Sequence, residues 1–189
     1  LRGERFFEVF NGHHAVHNLG DSLHLGTEEL WDLINIAYLE QQKPLLYGLA
    51  TDDSHNYHET GKTFSNAGRG WVMVQADSLS PEALIGALKQ GRFYASTGVS
   101  LDEVRLHKNK LTVRVKKARG VRYRIQFIGC NSGDRLTKVL KEKRGRLACF
   151  KLNKNTAFVR AKIISDKAPE NPIEDFRFEM AWTQPVFFR

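Results

Sequence analysis

From about residue 104 onward the apolar residues fall at every second position, and that period decides what this stretch can fold into. Leu111, Val113 and Val115 alternate with Thr112, Arg114 and Lys116, and Val121, Tyr123, Ile125 and Phe127 alternate with Arg122, Arg124 and Gln126. Successive side chains of an extended backbone point to opposite faces, so the pattern specifies strands with one dry and one wet face. It predicts further strands near 146–152, 157–164, 176–182 and 185–188, with a loop over 169–175 between two of the last. No helical period of useful length occurs in this stretch. The expectation for 105–189 is therefore a small all-β sandwich.

Residues 1–104 follow a different rule. Phe6-Phe7-Glu8-Val9-Phe10 reads as a strand ended by Asn11-Gly12. Thr27 reads as a helix N-cap, with Glu28 and Glu29 at the positive end of the helix dipole. Leu30, Ile34, Ala37 and Tyr38 then recur at helical spacing to about Gln42. A buried strand over 45–51 follows, then a polar connection over 52–70, long enough to suggest function. A strand over 71–76 comes next. Ser80-Pro81-Glu82 opens a second helix, Gly91 stops it, and Phe93 to Ser96 forms a short strand. Strands alternating with helices predict an α/β layer of parallel strands, with chemistry at the C-terminal ends of the strands. Two domains are expected, 1–104 and 105–189.

Charge supports the division. Residues 1–105 carry 8 Lys+Arg against 14 Asp+Glu, a net −6, whereas residues 106–189 carry 21 against 7, a net +14. A basic second half can attract polyanions. The two cysteines, Cys130 and Cys149, are read as free buried thiols. No run of 18 apolar residues suggests a membrane span.

The candidate site lies where the buried strand over 45–51 ends, at Thr51-Asp52-Asp53-Ser54-His55. An extended backbone sends side chains two apart to the same face, so Asp53 and His55 should point together, and a carboxylate beside an imidazole suits a divalent ion such as zinc, manganese or iron. Glu8, on the first strand, is expected to face inward near a cation or donor, because an unpaired buried carboxylate is costly. His13 follows the Asn-Gly turn at another strand end and is a candidate for contact with metal or substrate. His58 is a candidate proton shuttle. Arg69, between two glycines, is a candidate to hold an anionic group bidentately or to pack structurally on Trp71. Gly61-Lys62-Thr63 resembles the end of a phosphate-binding loop but lacks the earlier glycine and the following helix.

The order of several short strings adds a resemblance. Glu8-Val9-Phe10-Asn11-Gly12-His13, Trp31-Asp32, Tyr47 to His55, Gly68-Arg69-Gly70-Trp71 and Gly91 to Gly98 are similar to the C-terminal half of a PHP domain. That is the polymerase and histidinol phosphatase class of metal-dependent phosphoesterases, and the likeness is to the branch with carbaryl-hydrolase-like metallohydrolases. Ala181 to Phe187 resembles the end of the β domain that follows in that branch. The resemblance implies a partial parallel (β/α) barrel layer and metal ligation by Asp53 and His55, with Glu8 and His13 nearby. It also implies hydrolysis of a small phosphoester or related ester by a metal-activated water. PHP domains open with a His-x-His pair that this chain lacks. It therefore reads as the back half of a longer protein, with an incomplete metal site, little activity by itself and a tendency to self-associate. The alternative is a non-catalytic module whose basic β half holds an acidic polymer. Nucleic acid is not the expected partner, because the regularly spaced Phe and Tyr residues read as core.

Overall fold

The computed structural model describes residues 3–173 and 176–188. Among them the chain forms two helices and eleven strands in three sheets. The first segment contains β1 (Phe6–Asn11), α1 (Thr27–Glu40), β2 (Tyr47–Thr51), β3 (Trp71–Val74), α2 (Pro81–Lys89) and β4 (Phe93–Ser96). There follow β5 (Leu101–His107), β6 (Lys110–Val115), β7 (Tyr123–Asn131), β8 (Lys138–Arg144), β9 (Leu147–Lys151), β10 (Thr156–Ser165) and β11 (Met180–Thr183).

Pairing differs from the sequence expectation in one major respect. β1 and β2 are parallel and form a sheet of two. β3 and β4 are antiparallel instead, and β4 pairs on its other side with β11. The central sheet runs β3-β4-β11-β10-β7-β8, so it takes two strands from before residue 104 and four from after it. No barrel forms among the described residues, and parallel pairing is confined to β1 and β2. The reason is topological. β4 leads into β5 through a turn of only four residues, and its outer edges are taken by β3 and by the distant β11. Such long-range pairing leaves no trace in local periodicity.

Two facing sheets of the kind expected after residue 104 form, but the larger is not confined to that stretch. β5, β6 and β9 form a second sheet, facing the central one. Leu111, Val113 and Val115 of β6 meet Ile125 and Phe127 of β7 and Ala161 and Ile163 of β10 in one buried cluster. The opposite face of the central sheet covers α1 and the β1-β2 pair: Ala95 and Trp182 pack with Val9, Phe10, Trp31 and Ala50. β10 shows the alternation that makes this two-sided packing possible. Val159, Ala161 and Ile163 enter the sandwich core. Arg160 and Lys162, one position out of phase, turn toward α1, where Arg160 engages Glu28 and Asp32 and Lys162 engages Glu28.

Details at the element ends refine the reading. Ser80 caps α2 as expected, accepting from the Ala83 amide at 3.2 Å. α1 begins one residue earlier than expected, with Gly26 at the cap, because the Thr27 hydroxyl donates to the Val9 carbonyl at 2.7 Å and ties the helix to β1. The strand expected over 185–188 reduces to a bridge between Val186 and Val159. The loop expected over 169–175 includes residues 174 and 175, which lie outside the described residues. Both thiols are free, and burial pushes Cys130 up to about 11.

Candidate functional site

The two parallel strands end side by side, with Asn11 opposite Thr51. Parallel pairing is what brings the residues after both strands to the same edge. The chain continues past this edge through Gly12, whose amide donates to the Thr51 carbonyl at 2.8 Å. A Cβ on Gly12 would lie 2.8 Å from the Arg69 Cβ and 2.9 Å from the Asp52 carbonyl oxygen, so only glycine permits this close approach.

Asn11 is the hub of the cluster. Its side-chain amide donates to Glu8 Oε2 at 2.8 Å and to Asp53 Oδ2 at 3.2 Å, while its Oδ1 accepts from the His13 amide at 2.7 Å. The Thr51 hydroxyl donates to the other Glu8 oxygen. Glu8 is exposed and does not face inward as expected, because no barrel interior forms around β1; the donors it gains, Asn11 and Thr51, are neutral. Asn11 and Thr51 lie within the strings singled out in the sequence, but neither is given a role there. Asn-Gly reads as a turn, and a threonine at a strand end is common.

Asp53 and His55 come together, though not through strand alternation. Asp53 has φ of 47°, so the extended backbone stops before it. The turn lets the Asp53 carbonyl reach His55 Nδ1 at 2.7 Å, and its carboxylate Oδ1 lies 3.7 Å from the same nitrogen. A carbonyl oxygen only accepts, so Nδ1 carries the proton and a neutral His55 has its lone pair on Nε2. Fixing a histidine in this way is how metal-binding imidazoles are oriented. His13 is held in the opposite sense. Its Nδ1 accepts from the Ala15 amide at 3.1 Å, so the neutral ring presents an N–H at Nε2. That ring stacks on His14 and stands edge-on to His55 with centroids 5.7 Å apart. His13 is therefore built to donate a hydrogen bond, not to ligate.

Arg69 departs from its proposed role. It is 3% exposed, and its guanidinium donates to the carbonyls of Gly12, Phe64 and Gly61 at 2.6–2.8 Å. A guanidinium occupied by three backbone acceptors is a clamp on the loop over 52–70 and does not reach out to an anion. The alternative reading of a structural arginine is the one these contacts favour, through backbone carbonyls. Burial pushes its pKa down, partly countered by the Asp52 charge. Asp52 completes the clamp by accepting from the amides of Gly68, Arg69 and Gly70 at 2.6–2.9 Å. His58 is exposed on that loop. Gly61 to Thr63 form a turn with no following helix.

Among the described residues no three His, Cys, Asp or Glu side chains are arranged to hold a metal ion by themselves. The donor chemistry fits part of a shell: two carboxylates and one imidazole nitrogen at a single edge, the carboxylates bridged by the Asn11 amide. Comparison with family models, curated proteins and solved structures finds no match to this chain.

Proposed function

We propose that this strand-end cluster is part of the centre of a metal-dependent hydrolase that acts on a phosphoester or related ester. The observation that carries the reading is His55, held through Nδ1 by the Asp53 carbonyl with the Asp53 carboxylate 3.7 Å from the same nitrogen, and Asp53 tied through the Asn11 amide to Glu8. Zinc, manganese or iron suits this mixture of oxygen and nitrogen donors. Bound there, such an ion would lower the pKa of a water and polarise a phosphoryl or acyl oxygen.

The chain's own residues have distinct tasks in this reading. Asp53 and His55 hold the ion. Glu8 is kept in one orientation by Thr51 and Asn11 and adds an oxygen donor. His13 offers its Nε2–H to an anionic oxygen of the substrate. Asp53 and His55, with Glu8 beside Asp53 but not arranged to complete a three-ligand set, leave most of a shell to water or to another polypeptide segment, so affinity should be weak.

Manganese titration followed by electron paramagnetic resonance tests the assignment, alongside hydrolysis of chromogenic phosphomonoesters and phosphodiesters. The expected result is weak saturable binding that Asp53→Ala and His55→Ala each abolish, with any turnover lost in parallel. Binding unaffected by both variants would remove the proposal's basis.

A further inference from the structure

A concave site lies in the basic half, lined by none of the residues of the metal reading. It is a cleft of about 930 Å³ between the β6-β7 connection, the turn from β8 to β9 and the chain after β10. Lys117, Arg122, Arg124, Arg144 and Arg146 line it, and Asp166 is its one acid. Asp166 is already committed, because its carboxylate accepts from both the amide and Nε of Arg122 at 2.7–2.9 Å.

The remaining cations are poorly neutralised. Arg124 stands directly opposite Arg144 in the β7-β8 register. Like charges at opposed positions of an antiparallel pair are destabilising. Arg124 has only Glu142 at 4.0 Å for relief. Arg146 makes one long bond, 3.5 Å, to the Val115 carbonyl. Among the described residues Arg144 and Lys117 have no carboxylate partner. The apolar wall of the cleft comes from Val121, Tyr123, Ile164 and Phe178, and Phe178 is 41% exposed.

We propose that this cleft binds a small organic phosphate carrying several negative charges, its phosphates between Arg124, Arg144, Arg146 and Lys117 and its organic body against Phe178. Guanidinium forks match phosphate oxygens bidentately, which favours phosphate over a single carboxylate. The volume falls in the usual range for small-molecule sites, roughly 300–1,000 Å³. One anion between Arg124 and Arg144 would also turn a repulsive cross-strand pair into a bridged one.

Calorimetric titration of the chain at low ionic strength with inorganic triphosphate and with adenosine triphosphate, both in chelator, tests the site. Both should saturate, and the nucleotide should bind more tightly. Arg124→Gln with Arg144→Gln should weaken both by about tenfold or more. Phe178→Ala should erase only the advantage of the nucleotide. Without ligand, Arg144→Gln should raise the thermal midpoint by about 1–3 °C, because the opposed charges are gone. Three results would overturn the proposal: no saturation with either small anion even if heparin binds, an unchanged affinity in the double variant, or an equal loss in Lys89→Gln on α2. Chelator and the Asp53→Ala background keep this outcome separate from that of the metal reading.

Discussion

Asp53 shows how a correct juxtaposition can follow from an incorrect reason. Alternation along a strand suggested that Asp53 and His55 share a face, yet the backbone turns left-handed at Asp53, where aspartate is among the more tolerated non-glycine residues. The pair meets because a carbonyl two residues back is within reach of an imidazole, a local feature that residue types favour but periodicity does not encode. Asn11 was illegible for the opposite reason: its role depends on a residue 42 positions away. The clearest energetic statement at this scale concerns Glu28. Burial pushes its carboxyl up, but the charges of Arg160 and Lys162 more than offset this and hold it at about 2, below its ordinary 4.5. A depressed carboxylate stabilises the fold fully above its ordinary value and loses that contribution as pH falls toward the folded value. Urea unfolding between these limits should show the wild type losing stability with falling pH while Glu28→Gln changes less. The gap between them should be widest near neutrality and closed near pH 2. A constant gap across that range would mean that the ion pairs with Arg160 and Lys162 contribute nothing to stability.

Elements with strong local signals were legible, and those defined by distant partners were not. Both helices were readable from capping residues and from spacing, as were β6, β7, β9 and β10 from alternation. β8 was missed because Lys138 to Arg144 is mostly charged. It is an edge strand with little buried surface, and charge on an edge discourages further pairing. β5 was missed because only Val104 and Leu106 alternate within it and its register shifts between Leu101 and Glu103, so pairing with β6 specifies it. The long connection over 52–70 was singled out correctly as unusual for its length. Its organisation around Asp52 and Arg69 was not foreseen, since Gly68-Arg69-Gly70 suggests an exposed, reaching arginine. The clamp predicts that Arg69→Gln leaves the buried Gly12 and half-buried Phe64 carbonyls short of donors, at about 1–3 kcal/mol for each left unsatisfied. Limited proteolysis should then cut between Tyr57 and Phe64 far faster than in the wild type, while the circular dichroism of the sheets stays unchanged. Equal cleavage rates would show that the Asp52 contacts alone hold the loop.

At the scale of the whole molecule, the charge split that suggested two domains also describes how the halves are joined. The acidic half contributes Glu28 and Asp32 on α1, and the basic half contributes Arg160 and Lys162 on β10. Arg160 is 1% exposed, takes Asp32 in a two-point pair at 2.7 and 2.8 Å and lies over the Trp31 ring at 5.0 Å. Gln184 adds a second tie by pairing its side-chain amide with the Gly48 backbone at 2.7 and 3.0 Å, in the manner of a neighbouring strand. Most decisive is the central sheet, in which β4 pairs with β11 across more than eighty residues of chain. An early segment that contributes two strands to that sheet cannot keep its pairing once β11 departs, and the faces of Ala95 and Trp182 would be laid open together. The halves should therefore unfold as one cooperative unit. Trp31 and Trp71 report on the first half and Trp182 on the last, so tryptophan fluorescence samples both sides, whereas far-ultraviolet circular dichroism reports on α1 and α2 together with all the strands. Urea transitions followed by the two signals should coincide in midpoint and slope. Two separated transitions, with the fluorescence of Trp31 changing apart from the loss of sheet signal, would show instead that the α1-β1-β2 layer is an independent folding unit and that the Arg160 network is an interface between domains.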